Sequence, residues 1–135
     1  MTAKKYLQQA RIIERALRSK SEQIERLQSL AVYVSQPFDS AGGGGSHSSG
    51  SKVENFALQL VELKERVAEE SARLIKLRAE ISAAIHAVNN LTYENILEER
   101  YLNYKSFDEI ADCLGVSKDY VFRLHREALR LVKVQ

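Results

Sequence analysis

The residues best equipped for chemistry in this chain are the cations near its end. Lys118, Arg123, Arg126, Arg130 and Lys133 face only Asp119 and Glu127 across the same stretch. The segment before it is charged the other way: Glu94, Glu98, Glu99, Asp108, Glu109 and Asp112 against Arg100 and Lys105. The net charge is only +2 over 135 residues, so the distribution rather than the total offers a place to a polyanion. An arginine fork takes two acceptors on a guanine edge or holds a phosphate. A serine and a lysine opening a helix suit phosphate as well.

The remaining reactive side chains form no comparable set. His47, His86 and His125 lie far from one another, and none is three or four residues from another His or Cys. No metal site is therefore expected, and no cofactor. Asp39, Ser46 and His47 supply the residue types of a hydrolytic triad, but a Gly/Ser-rich stretch does not hold such geometry. Gly45, Gly50 and Lys52 approach a phosphate-binding loop. The lysine comes one residue late and no strand precedes it. The single cysteine, Cys113, excludes an internal disulfide and reads as a small packing residue near the buried side of its helix. No catalytic residue is expected, and the chain does not read as an enzyme.

Two short helices must present the cations. Phe107, Ile110, Ala111 and Leu114 form one apolar stripe, and Val116, Val121, Leu124, Ala128 and Leu131 form a second. Ser106 with Glu109 makes a capping box, and Ser117 can cap the second helix. Gly115 sits where the chain must reverse, and Ala111 leaves room for a steep crossing. This is the spacing of a helix-turn-helix, whose second helix enters the major groove. With Val121 and Leu124 facing inward, the outward positions are Ser117, Lys118, Asp119, Tyr120, Phe122, Arg123 and Arg126, with Arg130 beyond. A preceding helix begins at a Thr92 cap and buries Ile96, Leu97 and Tyr101. The three helices make a domain over 91–135.

Residues 1–90 read as a long helical hairpin. Tyr6, Ala10, Ile13, Leu17, Lys20, Ile24, Leu27, Ala31 and Val34 step by fours and threes. So do Val53, Phe56, Leu60, Leu63, Val67, Glu70, Leu74, Leu77, Ile81, Ala84 and Val88. That is a coiled-coil seam. Thr2 can cap the first helix, and Ser51 with Glu54 the second, from Lys52 to Asn89. Between them, residues 36–51, with four consecutive glycines, read as a flexible tip. Laid antiparallel, the seams pair residues whose numbers sum to 90 or 91, so that Lys20 meets Glu70, Leu27 meets Leu63 and Ala10 meets Ile81. The Lys20–Glu70 pair would fix register more than add stability. This register also brings the basic start of the chain (Lys4, Lys5, Arg11, Arg15, Arg18) to the end of the hairpin where the three-helix domain begins. A second stripe, Val61, Ala68, Ala72, Ile75 and Ala79, is left for a partner, and a second copy of the chain is expected there.

Thr92 to Lys133 resembles region 4 of sigma factors. The helix NILEERYL, the link NYKS, then FDEIADCLGVS and a basic last helix follow that family's order. With its YLQQAR opening and GSKVEN segment, the chain is similar to sigma-like transcription regulators of Gram-positive phages and prophages, the ArpU/RinA-type late-gene activators. The resemblance covers region 4 and not the regions that bind the −10 element. It implies promoter-region binding of double-stranded DNA, with RNA polymerase as a further partner.

The sequence thus predicts an all-α protein, a coiled-coil hairpin followed by a helix-turn-helix domain. It reads as a dimeric, sequence-specific transcription regulator. Two other roles share this layout. One is packaging-site recognition, as in small terminase subunits. The other is a coiled-coil adaptor that binds a protein. No apolar run nears the ~18 residues of a membrane span, and no secretory leader opens the chain, so the expected place is the cytoplasm.

Overall fold

A computed structural model describes the backbone of residues 1–35 and 46–134 and the side chains of 1–33 and 52–134. The described residues form five α-helices and no strand: α1 (Ala3–Ser35), α2 (Ser46–His86), α3 (Leu91–Tyr101), α4 (Phe107–Leu114) and α5 (Lys118–Leu131). The chain is all-α, as its periodicities predict. Pro37, Asp39 and the glycine run, with most of the expected tip, lie outside the described residues.

Several boundaries differ from the sequence reading. Helix α2 begins at Ser46, so the Ser51–Glu54 box falls inside it rather than at its start. It ends at His86, and Asn89 follows in a left-handed conformation at φ 57°. Asparagine tolerates that region better than most residues. Asn90, not Thr92, caps α3: its side chain accepts the Tyr93 amide at 3.2 Å. An asparagine caps as well as a threonine, and this one lies three residues before the free amide. At the chain start, Thr2 does cap α1, accepting from the Lys5 amide at 3.2 Å.

The chain divides into two compact units, Met1–Glu14 with Arg73–Gln135, and Arg15–Ala72. In the first, Leu7 and Ala10 of α1, Ile81 and Ile85 of α2, Leu97 and Tyr101 of α3, and Ala128 and Val132 share one buried cluster. Ala10 and Ile81 sit together in it, in keeping with the antiparallel register. The core beneath α3 and α5 therefore includes residues from outside 91–135. A smaller cluster of Ile110, Ala111 and Val121, with Phe107 against it, joins α4 to α5. Burying an isoleucine or a valine there stabilises by about 1.5–3 kcal/mol each.

In the second unit the seam positions are the half-buried ones. Lys20, Ile24, Leu27 and Ala31 on α1 and Phe56, Leu60, Leu63, Val67 and Glu70 on α2 are shielded, while most of their neighbours are exposed. Leu27 and Leu63 line one groove, together with Gln23, Leu30, Gln59 and Arg66. No ion pair joins Lys20 to Glu70 among the described residues. Two partly solvated charges on flexible side chains gain little by closing on each other. Along α2, Val61, Ala68, Ala72, Ile75 and Ala79 are all exposed, Val61 at 53% and Ile75 at 71%. No helix among the described residues is long and apolar enough to cross a membrane.

Candidate nucleic-acid interface

The turn between α4 and α5 is built from the backbone upward. Ser106 stands in extended conformation and accepts the Glu109 amide at 3.1 Å, which starts α4. The helix stops at Gly115, whose φ of 67° and ψ of 34° are left-handed. The Val116 amide reaches back to the Ala111 carbonyl at 3.1 Å, and the Gly115 amide to that of Asp112 at 3.3 Å. Together these two bonds form a Schellman closure, which satisfies carbonyls that the helix end would leave open. A Cβ on residue 115 would meet nothing within 4 Å, so glycine is required by backbone conformation and not by space. Ser117 then accepts the Tyr120 amide at 3.2 Å and opens α5.

Ile110, Ala111 and Val121 are buried where the two helices cross, as their spacing predicts. Leu114 and Val116 are not: they flank Gly115 and are 45% and 37% exposed. The turn carries them past the crossing point, so the first buried stripe ends at Ala111 and the second begins at Val121. Leu131 is also exposed, and Val132 is buried in its place. Val132 follows α5 in extended conformation and joins the buried cluster of Leu7, Ile81 and Leu97. Cys113 is exposed rather than near the core.

On α5, Ser117, Lys118, Asp119, Tyr120, Arg123, Arg126 and Arg130 are exposed. Phe122 is half-buried, its ring 4.8 Å from that of Phe107. It holds α4 and α5 together, so little of it is left for a ligand. Lys118 pairs with Asp108 of α4 at 3.2 Å, and its ammonium lies 5.7 Å from the Phe122 ring. Arg123 rests over the Tyr120 ring at 4.9 Å. Arg126 and Arg130 enter no ion pair among the described residues.

Behind this face lies a polar arrangement that the sequence reading did not draw. His125 is buried, with Nε2 2.6 Å from Tyr101 Oη. Its ring stacks on Tyr101 and meets the Phe107 edge. Burial, then the charges of Arg100 and Lys4, lower the histidine pKa to about 4, so it is neutral at pH 7. Burial also pushes the Tyr101 hydroxyl up to about 12. One signal was available: His125 follows Val121 by four residues and so falls on the inward face. Arg100 lies over Phe107 at 4.2 Å and donates to the Lys105 carbonyl at 3.0 Å. Burial and the nearby Arg11 make its proton easier to lose. Lys4 and Arg11 thus add positive potential within the same unit. The Lys105 ammonium binds the Glu99 carboxylate, which holds that acid below the usual range. Arg78 Nη1 donates to the Leu102 carbonyl at 3.0 Å and to Tyr104 Oη at 2.8 Å, tying α2 to the link before α4.

His86 lies on the surface of α2, where Nδ1 is 2.9 Å from Glu94 Oε1. Among the described residues no group of three or more His, Cys, Asp or Glu could hold a metal ion. What the arrangement offers is an exposed, mainly cationic helix face on a defined turn.

Residues 39–133 match the family described as Protein of unknown function (DUF1492). The chain belongs to the DUF1492 family. The family match runs from before α2 to just past α5, so it takes in the whole α4–turn–α5 unit. No curated protein matches the chain, and no solved structure does.

Proposed function

We propose that this DUF1492 protein is a sequence-specific DNA-binding transcription regulator, phage or prophage encoded, that acts as a dimer and contacts RNA polymerase. The observation that carries the reading is the α4–Gly115–α5 turn. It fixes a helix whose open side bears Arg123, Arg126 and Arg130, with Ser117 and Lys118 at its start. A helix N-terminus with hydroxyl and ammonium groups suits backbone phosphate, and the arginines further along suit phosphate or a base edge. The resemblance to sigma factor region 4 supports a promoter as the target. The exposed stripe on α2 supports pairing with a second copy, as DNA readers of this type bind two half-sites.

The test is selection of bound sequences from random duplex DNA, followed by retardation of a selected duplex across a salt series. Enrichment of one motif, with affinity falling steeply as salt rises, is the expected result. A protein that retards no duplex even in dilute buffer would leave the adaptor role in its place.

A further inference from the structure

Two carboxylates lie one helical turn from Arg123 along α5. Asp119 precedes it by four residues and Glu127 follows it by four, the spacing at which a helix brings opposite charges together. Neither closes an ion pair with it. The guanidinium instead lies over the Tyr120 ring at 4.9 Å. At 100° per residue, Tyr120 lies on the side of Arg123 away from Asp119, so stacking there turns the cation from Asp119 around the helix, while Glu127 lies on Tyr120's side but one turn toward the C-terminus. That leaves Glu127, and Glu127 is already engaged. Its Oε2 accepts a 2.8 Å hydrogen bond from Tyr93 Oη on α3, in a partly buried position. That bond also makes the Tyr93 proton harder to remove. A guanidinium stacked on a ring keeps its in-plane N–H donors open.

We propose that Tyr93 and Tyr120 are positioning residues for base reading. Tyr120 turns the Arg123 fork away from Asp119, and Tyr93 holds Glu127 back, so the fork stays unpaired and meets a guanine edge in the major groove. This rests on the DNA-binding reading above. It adds that α3, which need not enter the groove, determines whether the reading arginine is available.

The experiment compares wild type, Tyr93→Phe, Glu127→Gln and the double variant. Each is titrated against a labelled duplex carrying the motif that wild type selects. The Arg123 Nε resonance of each free protein is followed by 15N NMR. Tyr93→Phe releases Glu127 to Arg123, so affinity falls about twofold, the scale of one same-helix ion pair. The Arg123 resonance shifts with it. In the double variant no carboxylate is released, so affinity returns to that of Glu127→Gln and the resonance to its wild-type place. Tyr93→Phe binding as tightly as wild type overturns the proposal. So does a loss that persists undiminished in the double variant, since Tyr93 would then act through its own packing. If wild type itself retards no duplex while the resonance still shifts, the function proposed above fails, and the base-reading role fails with it.

Discussion

Tyr101 and His125 sit 2.6 Å apart, oxygen to nitrogen, on the inner faces of α3 and α5. The pair lets a polar ring occupy the core, because a buried imidazole with a partner avoids most of the penalty of desolvation. It also ties the helix that carries the cations to the one behind it.

Acid should loosen this arrangement. The folded pKa of His125, about 4, lies below the ordinary value of 6.5. The unfolded chain therefore binds the proton more readily, and stability is full above about pH 6.5 and lost as pH falls toward 4. The loss approaches about 3 kcal/mol for this group alone. Urea denaturation at steps from pH 7.5 to 4 should show wild type losing more stability than His125→Gln, which cannot titrate. Parallel curves for the two proteins would contradict the buried neutral imidazole.

Gly115 should resist replacement although space surrounds it. Gly115→Ala places a Cβ on a left-handed residue and should destabilise by about 1–2 kcal/mol. Gly115→Asn should cost less, since asparagine visits that conformation more readily. Thermal melts of the three proteins check the order; an alanine variant as stable as the asparagine variant would show that the turn tolerates another backbone.

If Arg123 reads a base, Arg123→Ala should weaken binding to the selected duplex by about 1–3 kcal/mol and relax the sequence preference at one position. Arg130→Ala should instead weaken binding to all duplexes alike and reduce the salt slope by about one. A second round of selection with each variant separates the two roles, and an unchanged motif with Arg123→Ala would reassign that residue to the backbone.

The stripe on α2 gives a prediction about copy number. Val61 is 53% exposed, so Val61→Glu should leave the monomer fold intact while weakening any pairing through that face. Light scattering should then report a fall from two copies to one at the same concentration, with helical circular dichroism unchanged. Equal masses for the two proteins would remove this stripe from the dimer contact.

Much of the architecture is written in local spacing. Steps of three and four residues fix which side of α1 and α2 is shielded, and Ser106, Gly115 and Ser117 set the ends of α4 and the start of α5 through bonds to their own neighbours. Such features need only the backbone within a turn or two, so the sequence alone determines them. Packing decided what spacing could not. Leu131 and Val132 exchanged places because the inward direction of α5 is set by what α1, α2 and α3 bring against it. Leu114 and Val116 stayed exposed because the turn projects beyond the crossing. The partners of Glu127 and His125 are tyrosines of α3, 34 and 24 residues away. Only the folded chain brings those side chains within reach, since a hydrogen bond between helices depends on their crossing and not on any period along either one.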